Sequence, residues 1–386
     1  MKWILTFNAG SSSIKYSAFH IKDQTMVLEF KGLIEGIGEK QSFWTHETTK
    51  SEHLFKNHQQ AFQALLKPVT EGIQGEIIGI AHRVVHGGSQ FSTPTVVDKT
   101  VLSTIQSLSN LAPLHNPANA LGIEVAKSLF PKCPHVAIFD TAFHVTMPES
   151  AHTYAIDKDI CHQYQIKRYG FHGINHQYVA EQAAGFLLKP LSHCQLITLH
   201  LGNGASACLI KDGKSYDTSM GFTPLPGLIM GTRCGDIDPS IILYLADQGI
   251  TMASISSMLN RRSGLKGIGG ENDMRRLLEH EAAGDMDAKL AIEMFCYQLQ
   301  KYIAAYYGQC PNLDALVFTG GIGEHSVDIR ARTIQPLNHL GLSIDANLNS
   351  NQGWTQPSII HNGSIPILVI PGDEEKAMAE QCMTVL

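Results

Sequence analysis

Thr6-Phe7-Asn8-Ala9-Gly10-Ser11-Ser12-Ser13 runs on into Ile14–Phe19, and Thr198-Leu199-His200-Leu201-Gly202-Asn203-Gly204-Ala205-Ser206 runs on into Ala207–Ile210. Each is an apolar strand, a turn of glycine and small polar residues, and a second apolar strand. Gly-rich hairpins are common, so coincidence is one reading of the pair. The other is a duplicated domain, with both turns on a shared cleft, a favoured setting for a ligand. Outward from the hairpins the chain keeps one rhythm. Short apolar runs, many β-branched, lie at Trp3–Phe7, Ile77–Ile80, His135–Phe139, Leu196–Leu199, Ala315–Phe318 and Ile365–Ile370. Amphipathic stretches separate them at Ala61–Leu66, Pro117–Ser128, Ala288–Tyr307 and Lys376–Met383. This alternation predicts an α/β fold with several buried strands.

The totals agree with two domains of ordinary size, since the chain has 386 residues, 44% of them apolar. Charged residues make up 17% and the net charge is -6, which offers nothing to nucleic acid and little to an anionic membrane. The apolar run at Met1–Phe7 is too short for a secretory segment and reads as a first strand. No run approaches the roughly 18–20 apolar residues that span a bilayer. Eight cysteines lack Cys-x-x-Cys spacing and read as reduced packing residues, so the expected compartment is the cytoplasm.

Several segments could carry chemistry. Asn8–Lys15 offers backbone N–H groups, hydroxyls, an amide and an ammonium, a set suited to phosphate oxygens; it reads equally as a solvated hairpin, and it lacks Walker spacing. His200–Gly204 and Phe318-Thr319-Gly320-Gly321-Ile322-Gly323-Glu324 are further Gly-rich turns after apolar strands, the second leading into a helix. Three such turns favour a nucleotide site. Arg83, in Ala81–Gly88, and Arg233, in Gly231–Asp236, sit among small or apolar residues, where an arginine either pairs with a buried carboxylate or clamps a substrate anion. Asp140 ends a strand, His172 stands between glycines and His115 between prolines, all turn-like settings. His82/His86 and His172/His176 have the i,i+4 spacing of a zinc pair. Against zinc, Arg83–Val85 reads as extended, Gly173 weakens a helix, and His-Glu-x-x-His is missing. Ile370–Lys376 leads from a strand into the last helix, with acids that suit a helix start and hard-oxygen ligation of Mg²⁺ alike.

In their order along the chain, these segments resemble the acetokinase family, of the sugar kinase–Hsp70–actin superfamily. The most specific are Asn8–Lys15, His82–Gly88, Arg168–Gly173 and Met220–Asp236. The resemblance implies two ribonuclease-H-like (actin-like ATPase) domains with the active site in the cleft between them. Residues 1–145 plus 376–386 would form one domain and 146–375 a second, nucleotide-binding one. It implies a homodimer and reversible in-line phosphoryl transfer between ATP and acetate, giving acetyl phosphate and ADP. Mg²⁺ would serve, with Mn²⁺ as a substitute, held by Asn8 and Glu374. Arg83, Asp140, His172 and Arg233 would be catalytic, with His172 and Arg233 stabilising the transition state. His115 would line the site, and Val85, Leu114, Phe171 and Pro224, with Arg83, would receive the acid. Nucleotide contacts would come from Lys15, His200, Leu201, Gly202, Asn203, Gly204, Asp273, Met274, Arg275, Gly320, Gly321, Ile322 and Gly323. The chain departs from the family pattern at His325, Gly270-Glu271-Asn272, Ile174-Asn175 and Pro226. A propionate or butyrate kinase with a roomier pocket is the near alternative; β-branched Val85 favours acetate. An actin- or Hsp70-like ATPase would need a partner surface or an extra domain that the sequence lacks.

Overall fold

Both hairpins form, and each seeds a sheet. The computed structural model describes residues 1–386 except Ser11, Gln24, Leu114, Pro311 and Gln352, and only the backbone of Lys67. The chain divides into two compact units, Met1–Val145 with Asp373–Leu386, and Thr146–Gly372.

In the first unit, β1 (Lys2–Ala9) turns and returns antiparallel as β2 (Ser13–Lys22), with Asn8 opposite Lys15 and Gly10 N donating to Ser13 O at 2.8 Å. β3 (Thr25–Glu35), β4 (Ser42–His46) and β5 (Thr49–His53) extend the antiparallel side. On the other side β6 (Glu76–Val84) and β8 (His135–Phe139) run parallel to β1, and the short β7 (Thr95–Val96) closes the edge. The order is β5-β4-β3-β2-β1-β6-β8-β7. β1 and β8 are buried along nearly their whole length, as central strands covered on both faces are. Ile80 packs with Leu5, Phe7 and Phe62 of α1 (His58–Glu71), beside Ala126 of α2 (Asn116–Leu129). Its neighbour Gly79 faces the other way, because side chains alternate along a strand. A Cβ there would lie 3.1 Å from Cys382 Sγ and collide with Leu386, so glycine lets the last helix (Glu374–Met383) lie against β6.

In the second unit, β9 (Gln195–Leu201), β10 (Ala205–Lys211) and β11 (Lys214–Thr218) form the antiparallel side. β12 (Ala315–Thr319) and β14 (Ile367–Val369) follow in parallel, with β13 (Ser358–Ile359) at the edge, in the order β11-β10-β9-β12-β14-β13. Both sheets therefore contain three antiparallel strands in the order third, second, first, then two parallel strands. This is the duplicated ribonuclease-H-like arrangement. α3 (Gly173–Phe186) packs on β9 and β12, and α6 (Met286–Gln309) packs on β9 and β10. Between these helices come α4 (Ser240–Asp247) and α5 (Met274–Ala282); α7 (Gly320–His325) and α8 (Val327–Ile334) follow β12 directly.

α9 (Glu374–Met383) returns the chain to the first unit, and the Asp373 side chain caps it by accepting from Lys376 N. Residues 373–375, expected with the second domain, accordingly go with the helix they start. All eight cysteines are free, and among the described residues no helix is long and apolar enough to cross a membrane.

Candidate active site

Each unit presents a set of the residues singled out from the sequence. In the first unit Arg83, at the end of β6, meets Asp140, just past the end of the parallel strand β8. The contact is bidentate: Nε donates to Oδ1 at 3.0 Å and Nη2 to Oδ2 at 2.6 Å. Burial alone would strip charge from Arg83; Asp140, and then Glu374 and Glu375, outweigh it and hold the guanidinium charged. Burial likewise pushes the Asp140 carboxyl up, Arg83 opposes that, and Glu374 adds to it by repulsion. Glu374 stands at the first position of α9, and beside it Glu375 takes Lys15 Nζ at 2.6 Å. Lys15, expected at the nucleotide, thus has a carboxylate of its own unit.

The loop after β6 is held by residues that the sequence reading passed over. Asn119 accepts from Val85 N at 3.1 Å and donates to Ala9 O at 2.7 Å, tying that loop to the end of β1. Asn116 accepts from His86 N and donates to His86 O, both at 3.0 Å. Thr141 Oγ1 takes Gly87 N at 3.0 Å. The one local signal was their position in α2, directly after His115, and next to Asp140. Leu114, expected at the substrate, lies outside the described residues.

In the second unit His172 caps α3 with a left-handed backbone, φ 57°, an uncommon conformation for a residue with a side chain. Gly173, expected to weaken a helix, is instead the first residue of one, with His172 as its cap. His172 Nδ1 lies 2.9 Å from Ser206 Oγ, and its ring centroid is 4.3 Å from that of His200. Asn175 Nδ2 donates to His200 Nδ1 at 2.8 Å. Arg233 comes to the same place: a Cβ on Gly204 would lie 3.3 Å from His172 Nε2 and 3.8 Å from Arg233 Nη1. Arg233 Nη1 donates to Pro224 O at 3.1 Å and touches Met230 Sδ at 3.6 Å. Among the described residues no carboxylate pairs with Arg233, and burial pulls its pKa down from the ordinary value.

The loop carrying Arg233 closes on Asp236, which accepts from Gly227 N at 2.8 Å and is held by Tyr302 Oη at 2.7 Å and Gln298 Nε2 at 3.2 Å. Both partners come from α6, and the sequence reading missed both. Arg168 fastens the start of the same loop by donating to Thr218 O at 2.7 Å and Met220 O at 3.0 Å.

A cavity of about 850 Å³ opens in this unit, within the size range of ligand sites. Gly202, Asn203, Asp273, Met274, Arg275, Gly321 and Ile322 line it, together with His325 and Asp328. Leu201, Gly320 and Gly323 support it from behind: a Cβ on Gly320, whose φ is 77°, would fall 2.8 Å from Leu201 O. Arg275 and Asp273 form a bidentate pair on the rim at 3.1 and 2.6 Å, and that hydrogen bonding drops the Asp273 carboxyl to about 2. Glu324 fastens the turn that starts at Gly320, accepting from Gly320 N at 2.8 Å and Gly372 N at 3.0 Å. Arg330, fully buried, donates to Gly323 O, Glu324 O and Asn349 at 2.7–2.9 Å.

The Acetokinase family profile matches residues 3–380. The acetate kinase of Carboxydothermus hydrogenoformans is 43% identical, over 98% of each chain. Among solved structures, the acetate kinase of Porphyromonas gingivalis superimposes with a TM-score of 0.92 at 35% identity, covering all of both chains. A propionate kinase from Francisella tularensis does so at 0.94 and 42%, again over both chains in full. Profile, relatives and fold agree along the whole length, and the chain belongs to the acetokinase family.

Proposed function

We propose that this chain transfers the γ-phosphoryl group of ATP to acetate, reversibly and with Mg²⁺, giving acetyl phosphate and ADP. The observation that carries the reading is Arg233, a half-buried guanidinium with no carboxylate partner among the described residues, converging with His172 Nε2 above Gly204. A partly desolvated cation without a protein anion is a ready seat for an anion from outside. A carboxylate is already a nucleophile, so the transfer needs no general base; it needs alignment and donors on the equatorial phosphoryl oxygens. Arg233 and His172 supply donors from the second unit. Arg83, oriented by Asp140, is a fork that suits a carboxylate or phosphoryl group. Val85, Phe171 and Pro224 serve as the apolar surroundings of the acid, and His115 and His200 as supporting groups.

The 850 Å³ cavity is the nucleotide site of this reading: Gly202–Gly204 and Gly320–Gly323 pass the phosphates and Asp273–Arg275 the nucleoside. Asn8 and Glu374 offer the hard oxygens that Mg²⁺ prefers, and the repulsion between Glu374 and Asp140 is negative charge that a divalent cation would offset. Bound there, the ion would neutralise phosphate charge.

We further propose a homodimer. Met286, Leu290, Met294 and Tyr297 are exposed at i, i+4, i+8 and i+11 on α6, one continuous stripe, and Ile241, Leu243 and Tyr244 of α4 are exposed as well. Light scattering on the eluting protein tests this: a monomer at micromolar concentration refutes it. The compartment is the cytoplasm, where eight free thiols stay reduced.

Trapping the acyl phosphate with hydroxylamine, with ATP and Mg²⁺, tests the activity on acetate, propionate and butyrate side by side. Acetyl hydroxamate should form fastest. Because one methylene discriminates by only about 1–3 kcal/mol, measurable propionate turnover is expected too. No hydroxamate from any acid would overturn the function.

A further inference from the structure

Behind His172 stands a row of polar side chains in the second unit, of which His176, Ser206 and Thr198 have no part in the chemistry so far. His172 caps α3, and Asn175 and His176 follow in its first turn on the side that meets the sheet. Thr198 and His200 are two apart on β9, and Ser206 is the register partner of His200 on β10, so these three project from one face of the sheet. The two faces meet in a line. Thr198 Oγ1 lies 2.7 Å from His176 Nδ1, His176 Nε2 lies 2.8 Å from Ser206 Oγ, and Ser206 Oγ lies 2.9 Å from His172 Nδ1. Thr198, His176 and Ser206 have no exposed surface.

Proton directions along this line follow from counting donors. Among the described residues the Thr198 hydroxyl has one hydrogen-bond partner, His176 Nδ1. Its proton pointed elsewhere would be a buried donor without an acceptor, so Thr198 donates and His176 Nδ1 accepts. His176 then carries its proton on Nε2 and donates to Ser206. Ser206 accepts there and has its own proton left for His172 Nδ1. The His172 proton is thereby sent to Nε2, the nitrogen that faces Gly204 and Arg233. Phosphoryl oxygens only accept, so Nε2–H is the form that can serve them.

We propose that Ser206 and His176 are positioning residues that hold His172 in the tautomer protonated on Nε2, giving the transferring phosphoryl group an oriented, uncharged donor. The inference rests on the role proposed for His172, and it adds the means by which that ring is kept ready. Without the Ser206 hydroxyl, Nδ1 and Nε2 compete for the proton and the ring loses its anchor.

The test is the tautomer itself, read from the imidazole nitrogen shifts of the full chain labelled with ¹⁵N-histidine, with His172→Gln used to assign the signal. The expected wild-type spectrum has His172 Nε2 protonated and Nδ1 bare. In Ser206→Ala the signal should shift toward Nδ1 protonation, and kcat should fall about 10- to 100-fold, as losses of a histidine's orienting partner do. KM for ATP and acetate should stay within about two-fold, and Ser206→Thr, which keeps the hydroxyl, should recover most of kcat. A wild-type spectrum with Nδ1 protonated overturns the proposal, whether or not the alanine variant folds. So does a Ser206→Ala variant with wild-type tautomer and kcat. Full activity in His172→Gln would instead overturn the role of His172 and leave the tautomer result standing.

Discussion

Removing each of the two arginines should produce opposite stability signatures with the same loss of rate. Arg233→Ala deletes a desolvated guanidinium whose recorded partners are one carbonyl oxygen at 3.1 Å and one thioether at 3.6 Å. A half-buried charge so weakly compensated adds little to folding free energy, so its loss should leave Tm unchanged or raise it slightly. Arg83→Ala strands Asp140, whose side chain is only 2% exposed, without the fork that holds it. Breaking a buried pair in this way costs about 3–5 kcal/mol. At roughly 2–4 °C per kcal/mol for a unit of this size, Tm should fall on the order of 10 °C. In both variants kcat should fall about 10²- to 10³-fold, the loss typical of a preorganised donor. The assay pairs hydroxamate trapping for kcat with scanning calorimetry for Tm. Arg83→Ala combined with Asp140→Ala should regain most of the lost stability and none of the rate, because no orphan charge remains. If Arg233→Ala unfolds as readily as Arg83→Ala and turns over near the wild-type rate, Arg233 is a structural residue and the reasoning fails.

Three further outcomes follow from the geometry. Gly204→Ala would put a methyl 3.3 Å from His172 Nε2 on a backbone that tolerates alanine, so kcat should drop at least about ten-fold, in the manner of a misplaced reacting group, with Tm nearly unchanged. Arg330→Lys should not replace the planar fork that spans Gly323 O, Glu324 O and Asn349; it should raise KM for ATP and lower Tm, both readable on one preparation. The buried His82–His135 pair, joined at 2.9 Å, resists protonation, with His135 lowered to about 4 by burial. A histidine depressed in the folded state leaves the unfolded chain binding more protons between pH 4 and 6.5, so stability is full above 6.5 and declines as pH falls toward 4. The gap from the ordinary value is worth roughly 3 kcal/mol, and His135→Asn should flatten that part of the Tm–pH profile.

The parts of this protein legible in its sequence are those decided by neighbours in the chain. Buried strands announce themselves as apolar runs, so β1, β8, β9 and β12 lie where those runs lie. The paired hairpins are legible because a turn must be built from residues that tolerate it, and Gly10 and Gly202–Gly204 are such residues. Arg83 and Arg233 drew attention for the same kind of reason, as cations amid small and apolar neighbours. Sequence did not tell that their fates differ: Asp140, which pairs with Arg83, is 57 residues away and meets it only because β6 and β8 run side by side. Nor could it tell that Arg233 has no such partner among the described residues. Asn119 on α2, Tyr302 on α6 and Ser206 on β10 were silent for a related reason. Asparagine, tyrosine and serine are ordinary in such elements, and what gives them work is hydrogen bonding to residues distant in sequence. Local propensity and burial thus settle strands, turns and the duplicated plan. Partnership, protonation and the direction of a proton along Thr198, His176, Ser206 and His172 depend on distances of about 3 Å between separate elements, and packing alone decides those.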